Sequence, residues 1–526
     1  MMLYSLSRHR RTRLQGLCEE TLGPRRLIIG SNRGPAEFAP GRNGDLRAYR
    51  GRGGVVSALS ALGQCAKLTW VASVMSDGDR AAVASTPDGR IGSPFPDQDL
   101  FLRYISPSRK VYHKYYNIIS NPLLWFLHHH MWSPTRTPTI ESTIYDAWQK
   151  GYIPVNRAFA DAIVDEAQRG DGAPCIMLHD YHLYLVAGQV RAQIPDAILH
   201  HFVHVPWPGP DAWHLLIPSM RLAILKSLCA NDILGFQTRA YARNFLHTCE
   251  AFLGDAQIDY SNQEVNLRGH TVRVRSYPVS VDVAHLRGVV ESEPVRQYAQ
   301  RLDASRAETT IVRVDRVDPS KNLIRGFRAF DLLLQRHPEL AAKVRFLAFL
   351  VPSRTYVPEY QRYWTDVTEL VDSINTRFGR DDWRPVELFY ENNYSQALAG
   401  LTMYDILLSN PTVDGMNLVC KEGPLVNRRN GILVLSETTG AHEQLREGVL
   451  TIASTDLEGT VRALEVALAM SDEERERRAN YLKQVVEEED IINWLYRQLE
   501  DLKKLTAEQR DISVPHAPSE VAAGVG

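Results

Sequence analysis

The stretch VRVDRVDPSKNL, residues 312–323, decides how the chain is read. Its first half alternates apolar and polar residues, the period of a strand with one face in a core. It then delivers Arg316 and, five residues on, Lys321 into a turn built on Asp318-Pro319-Ser320. Ligands bind at strand ends in α/β proteins, and two cations there suit a doubly negative group such as a pyrophosphate. The plainer alternative is an Arg and a Lys on a solvated loop, neutralised by Asp315 and Asp318.

Outward from this stretch, short apolar runs alternate with longer amphipathic ones. TTIVRVDR leads into the helix-period run NLIRGFRAFDLLLQRHP, then VRFLAFLVP, a polar helix over 356–377, VELFYEN, YDILLSNP and GILVLSET. The N-terminal half shows the same alternation, with RRLIIGSNRGP, APCIMLHDYH, AILHHFVHVPWP and RLAILKSLCANDILGFQT. Strands separated by helices of this length imply βαβ units and parallel sheets. Two such series imply two doubly wound domains, 27–285 and 286–480. Residues 1–26 read as a basic leader expected to be disordered, 481–506 as a helix rich in i,i+4 charge pairs, and 507–526 as a disordered tail.

The bulk properties bound the function. A chain of 526 residues exceeds one ordinary core, and its 44% hydrophobic and 23% charged residues are those of a globular protein. The net charge of −2 offers no field for nucleic acid or an anionic membrane, so anion binding must come from local clusters. No apolar run is long enough to span a bilayer. The six cysteines are scattered singly with no CxxC, which suits a reducing cytoplasm and no zinc site.

The polar clusters fall almost entirely just after predicted strands: Ser31-Asn32-Arg33, His179-Asp180-Tyr181-His182, His204, Arg316 to Lys321, Arg354, and Asp414 to Glu422. In doubly wound sheets that edge faces the binding crevice, and two such edges can enclose a ligand with two parts. YRGRGGVVSALSAL, with Gly53 and Gly54, could bring backbone N–H groups to a phosphate, although a plain turn before a helix reads equally well. It is neither a Walker loop nor a dinucleotide fingerprint. In LLSNPTVDGMNLVCKEGPLVN, Asp414 and Gly415 precede Met416, Asn417, Leu418 and Val419 opening a helix, with Glu422 on its first turns. Free N–H groups there could hold an anion or a sugar hydroxyl, and Glu422 a ribose diol; an ordinary helix cap is the competing reading. The histidines of LHDYHL and FVHVPWPGP lack helical zinc spacing and fit acid–base or hydroxyl-binding roles, with some of His179, His200 and His201 simply buried in the core. The aromatics of YYNIISNPLLW fit either stacking on a sugar or core packing.

Taken together, SNRGP, the Gly-Gly loop, YYN…SN…LW, HDYHL, HVPWP, GFQT, DRVDPSK, PSR, DGMNLV-KE and LSET-GA, in this order over about residues 27–505, resemble the trehalose-6-phosphate synthase family (glycosyltransferase family 20). These are retaining glycosyltransferases of the two-domain GT-B architecture. The resemblance implies an N-terminal acceptor domain, a C-terminal nucleotide-sugar domain, and a crossover helix over 481–506 returning to the first. Arg316 and Lys321 would grip the donor diphosphate, which Gly53 and Gly54 also approach. Asp414 would hold the glucose hydroxyls, the backbone of Gly415 to Val419 would surround the donor, and Glu422 would take the ribose. Arg33, Tyr116, Trp125, Asp180 and Arg354 match the residues that bind glucose 6-phosphate, and His204 the histidine beside the reacting carbon. The implied catalytic set is His204, Arg316, Lys321 and Asp414, with no metal and no cofactor.

The implied reaction moves glucose from a nucleoside-diphosphate glucose to glucose 6-phosphate, giving α,α-trehalose 6-phosphate. The expected partners are these small molecules, with no nucleic acid and no membrane; a homo-oligomer stays open, and a separate phosphatase would act downstream. Two departures bear on the acceptor: VASVMSDGD puts Ser73 where the family often has tryptophan, and GPLVNRRNG replaces a more common Tyr-Val-Ala-Ala run. The alternatives are a glucosylglycerol-phosphate synthase, a carbasugar-joining pseudo-glycosyltransferase, or a catalytically idle sugar-phosphate-binding regulator. The last would predict damage at Arg316, Lys321, Asp414 or Glu422, and all four are present.

Overall fold

The computed structural model describes residues 2–513 apart from 24, 42–44, 52–58, 60–61, 65, 87, 97, 133–138, 171, 304–306 and 381. Gly53 and Gly54, and the tail beyond Ser513, therefore lie outside the described residues.

The first domain carries β1 (Leu27–Gly30), the side hairpin β2 (Ala36–Pro40) and β3 (Leu46–Arg50), β4 (Leu68–Ser73), β5 (Arg90–Gly92), β6 (Leu100–Ile105), β7 (Cys175–His179), β8 (Ile198–Val203), β9 (Ile233–Phe236), β10 (Ala256–Asp259), β11 (Glu264–Leu267) and β12 (His270–Ser276). Ten of these form one sheet in the order β10-β11-β12-β9-β8-β7-β1-β4-β6-β5. Its centre, from β12 to β6, is parallel, as the sequence predicts. Its two edges are antiparallel, β10-β11-β12 on one side and β5 on the other, which the alternation of helices and strands did not indicate. β7 and β8 are buried along their whole length, so they read as continuous apolar runs rather than alternating ones.

The second domain carries β13 (Thr309–Arg316), β14 (Val344–Val351), β15 (Val386–Tyr390), β16 (Ile406–Ser409), β17 (Ile432–Ser436) and β18 (Leu450–Ile452). They form an all-parallel sheet in the order β15-β14-β13-β16-β17-β18. β13 pairs with β14 on one side and β16 on the other, and β14 and β16 lie on opposite sides of the first strand: a switch point at which loops diverge and leave a crevice. The DPSK turn sits there. The two sheets give the GT-B architecture that the sequence implies.

The chain passes between domains earlier than expected. β12 ends at Ser276, and the helices Val283–Val290 and Glu293–Asp303 already pack on second-domain helices. The return is also later: the expected helix over 481–506 is two helices, Asp472–Glu488 against the second domain and Ile491–Ser513 against the first. They break at Glu489-Asp490, where Asp490 Oδ1 accepts from the Asn493 N–H at 2.9 Å. Trp494 then donates to the Tyr277 carbonyl at 3.1 Å and packs edge-on against Phe202, which fixes the last helix to the first sheet. The tail expected from 507 is helical as far as Ser513.

The leader is a second correction. Met2–Leu22 is a helix, not a disordered segment. Leu14, Leu17, Cys18, Thr21 and Leu22 form a buried stripe at helical spacing, packed on the final helix. Arg13 donates to the Tyr496 hydroxyl at 2.7 Å, and Lys503 pairs with Glu20 at 2.6 Å. Arg10 adds a bond to the Glu487 carbonyl at 2.6 Å, so part of the basic charge that suggested a leader ties the helix down.

Candidate active site

Why does a strand end by presenting two cations? β13 is buried up to Val312 and Arg313, and its neighbouring acids turn out to be spoken for. Asp315 is held by the buried Arg313 at 3.0 Å. Asp318 caps the turn, accepting from the Ser320 N–H and hydroxyl at 3.0 and 2.9 Å, and pairs with Arg354 at 2.7 Å. Burial opposes the Asp318 charge, yet Arg354 and Arg316 hold its carboxyl well below the usual range. Neither acid forms an ion pair with Arg316 among the described residues, and both are buried and held by other cations, so the solvated-loop reading fails. Among the described residues Arg316 has no ion-pair partner; its guanidinium lies 5.2 Å from the centre of the Trp125 ring. Lys321 is paired instead with Asp414, bridging the two segments assigned to the donor.

Asp414 to Glu422 follow β16. The Gly440 N–H donates to the Asp414 carbonyl at 3.0 Å, and Asn417 turns the chain with a positive φ of 66°. The helix proper runs Val419–Val426, so Met416 to Leu418 form its approach rather than its first turn. Among the described residues the N–H groups of Met416, Asn417, Leu418 and Val419 donate to no protein acceptor, which leaves them available to a ligand. Glu422 accepts from the Tyr394 hydroxyl at 3.2 Å, and burial pushes its carboxyl up to about 7.

On the other side of the cleft, the residues assigned to the acceptor are linked by a chain of rings. Tyr116 stacks on Tyr112 and on His182, His182 lies 4.0 Å from Tyr181, and Tyr181 packs against Trp125. Tyr116 comes from a π-type helical stretch, Lys114–Leu124, broken at Asn121. The break turns the Asn121 side chain toward the cleft, where its Oδ1 accepts from the Tyr181 hydroxyl at 2.9 Å and from Arg354 at 2.7 Å. Arg33 lies against Tyr116: burial works to lower its pKa, and the Tyr116 and Tyr112 phenols outweigh that.

Asp180 and His204 close the constellation. Asp180, after β7, adopts a positive φ of 73°, and its Oδ1 accepts from the His204 N–H at 3.3 Å. Burial pushes its carboxyl up to about 7. His204 Nε2 sits 3.2 Å from His179 Nδ1, and burial lowers the His204 pKa to about 3, so the ring is neutral. The carbonyl of His204 meets the backbone of Gly415 so closely that a Cβ there would lie 2.2 Å from it. Tyr241 adds a second tie across the domains, donating to the Asp414 carbonyl at 3.0 Å. Arg354 belongs to the second domain but reaches over the first, its guanidinium 4.1 Å from the Trp125 ring. The fold thus brings together Arg33, Tyr116, Trp125, Asp180, His204, Arg316, Lys321, Arg354 and Asp414 to Glu422. Ser73, one of the two departures, is fully buried at the end of β4 and offers no side chain to the cleft.

The model of glycosyltransferase family 20 matches residues 25–504. The chain belongs to this family. Glycosyltransferase family 20 relatives include a validamine 7-phosphate valienyltransferase of Streptomyces hygroscopicus subsp. jinggangensis, 32% identical over 87% of this chain and 90% of that protein. Another is a UDP-forming α,α-trehalose-phosphate synthase of Aspergillus fumigatus, 30% identical over 90% and 96% of the two chains. Among solved structures, an E. coli trehalose-6-phosphate structure bound with UDP-2-fluoro glucose superposes with a TM-score of 0.77 at 25% identity, covering 91% of this chain and 99% of that one. A Burkholderia xenovorans UDP-forming synthase in complex with glucose-6-phosphate gives 0.75 at 25% identity, over 91% and 100%. As a member of family 20 the chain is a glycosyltransferase, and among the described residues no helix is long and apolar enough to cross a membrane.

Four members of the site received no individual role from the sequence. Asn121, Tyr181, Asp318 and Tyr360 form with Arg354 a polar knot spanning both domains. All four lie inside or next to segments singled out in the sequence, so the signal was proximity to a motif; their mutual contacts have no sequence pattern.

Proposed function

We propose that the protein is a retaining glucosyltransferase that moves glucose from UDP-glucose to glucose 6-phosphate, giving α,α-trehalose 6-phosphate and UDP. The observation that carries this reading is the guanidinium of Arg316, which among the described residues has no ion-pair partner and lies 5.2 Å from the centre of the Trp125 ring, on the same turn as the Lys321–Asp414 pair. A donor diphosphate seated there meets two cations without displacing any carboxylate from Arg316. Glu422 suits the ribose hydroxyls, and the unpaired N–H groups of 416–419 suit the donor.

In the reaction, the bond from glucose C1 to the diphosphate breaks and one from C1 to the acceptor oxygen forms on the same face. The acceptor hydroxyl gives its proton to the departing phosphate. Arg316 and Lys321 stabilise the charge that grows on the diphosphate, the place a divalent ion takes in other transferases. Asp414, once Lys321 turns to the diphosphate, accepts from the sugar hydroxyls. Neutral His204 holds the acceptor beside C1 without adding a charge. Arg33, Tyr116, Trp125, Asp180 and Arg354 would bind the acceptor. The cysteines, unbridged among the described residues, suit the cytoplasm, and a separate phosphatase would release the free disaccharide.

The 32% identity to the valienyltransferase favours a second reading, the joining of a carbasugar to a sugar-phosphate-like acceptor by the same clamp. One product assay separates the two. The purified protein is offered UDP-, GDP- and ADP-glucose and a nucleoside-diphosphate carbasugar against glucose 6-phosphate, glycerol 3-phosphate and validamine 7-phosphate, in EDTA, with products resolved by mass and NMR. An α,α-1,1-linked disaccharide phosphate formed in EDTA is the expected result. No transfer to glucose 6-phosphate from any donor would overturn the first reading.

A further inference from the structure

The loop from β14 to the helix Pro358–Phe378 belongs to the second domain, yet it is fastened to the first on both sides of its crest. Before the crest, Arg354 donates to Asn121 and lies over Trp125. After it, Val357 and Tyr360 are buried within the hydrophobic cluster of the first domain, with Tyr360 stacked on Phe126. Arg354 takes a positive φ of 44°, and the Val357 N–H closes a turn on the Arg354 carbonyl at 2.8 Å. Two residues stand at the crest of this turn, Thr355 and Tyr356, and Tyr356 is a large ring left 49% exposed. Among the described residues its hydroxyl makes no hydrogen bond. The groups that act on it electrostatically are Tyr116 across the cleft, then Arg354 and Arg33. A turn pinned at both ends holds a side chain in one place at little further entropic cost.

We propose that Tyr356 forms the outer wall of the acceptor pocket and donates its hydroxyl to the acceptor's phosphate, completing a donor set with Arg33 and Tyr116. Because it stands on the second domain, this contact exists only when the domains are together. Acceptor phosphate therefore helps to hold the cleft shut over the donor, and an unphosphorylated sugar does not. This rests on the proposed function in taking a sugar phosphate as acceptor.

The test compares the wild type with Tyr356→Phe, a substitution of a half-exposed ring that removes one oxygen. Inorganic phosphate and glucose 6-phosphate are titrated calorimetrically with UDP present, and initial rates are measured with UDP-glucose. In Tyr356→Phe, binding of both anions weakens about tenfold, the size of one hydrogen bond to a charged group. The KM for glucose 6-phosphate rises in step, and at saturating glucose 6-phosphate the UDP-glucose KM rises with it, because the same contact closes the cleft over both; kcat and the melting temperature stay put, and a merely structural role would move those two. Equal phosphate affinity in wild type and variant overturns the proposal, as does a wild type that binds neither anion. If the wild type transfers nothing to glucose 6-phosphate but Tyr356→Phe still weakens phosphate binding, Tyr356 keeps its role and the acceptor assignment falls.

Discussion

At the first-domain edge of the cleft the side chains are rings: Tyr116 stacked on His182, Tyr181 against Trp125, and His204 beside His179. At the second-domain edge they are charges: Arg316, Lys321, Asp414 and Glu422. Burial lowers the pKa of His182 and His204 to about 3 and of His179 well below its ordinary value, so the first edge adds no imidazolium charge at neutral pH. A sugar acceptor needs faces to stack on and neutral partners for its hydroxyls, which rings supply. A breaking bond to a diphosphate needs fixed positive charge where negative charge grows, and Arg316 and Lys321 on the second edge hold it ready.

If that division is right, the largest effect comes from removing Arg316. With neutral histidines opposite and Lys321 shared with Asp414, nothing else nearby can take its place. Arg316→Ala should lower kcat by roughly a hundredfold or more, about 3 kcal/mol of barrier, as for loss of one preorganised transition-state donor. Steady-state kinetics at saturating glucose 6-phosphate reads this directly. A kcat within a few-fold of wild type would mean that the charged edge is structural.

A smaller effect tests whether the two edges must touch. Gly415 passes the His204 carbonyl with no room for a Cβ, and the obstacle is backbone that cannot swing aside. Gly415→Val should therefore hold the domains apart by the width of a side chain. Overpacking of this kind costs about 1–3 kcal/mol, so kcat/KM should fall roughly tenfold for donor and acceptor alike. Small-angle scattering in the presence of UDP and glucose 6-phosphate should show the variant remaining more open. Loss confined to one substrate would argue that only its own subsite had been disturbed.

How much of this was legible beforehand differs between the edges. The charged edge was written in local patterns: DRVDPSK and DGMNLV-KE each place strand, turn and polar residues within a dozen positions, and the structure keeps that order. The ring edge was half legible. HDYHL and YYNIISNPLLW marked the right segments, but stacking and core packing predict the same aromatics. Arg354 and Asn121, 233 positions apart, meet through tertiary folding alone, and no spacing encodes that. The N-terminal helix was misread because its buried stripe is narrow and its sequence is rich in arginine. Composition reports the face that water sees, whereas the docking depends on the stripe.

The mildest prediction concerns the one titrating acid on the ring edge. Burial raises Asp180 from an ordinary 3.8 to about 7, against backbone N–H groups of Tyr181, His204 and Val205 that favour its charge. Between those two values the folded protein keeps a proton that the unfolded chain has released. The contribution of Asp180 to stability is therefore present at low pH and lost as pH rises through about 4 to 7. Binding runs the opposite way, because the carboxylate is the better acceptor for a sugar hydroxyl. The glucose 6-phosphate KM, measured at saturating UDP-glucose so that Glu422 does not intrude, should fall roughly threefold from pH 6 to 8. The substrate's own phosphate also titrates near pH 6, with a second pKa of about 6. Asp180→Asn separates the two causes, since it leaves the substrate unchanged. In that variant the KM profile should flatten to the substrate's own titration, and the fall in melting temperature between pH 5 and pH 7.5 should shrink. If the variant keeps the full wild-type slope, the pH dependence belongs to the phosphate, and the ring edge recognises its sugar without a carboxylate.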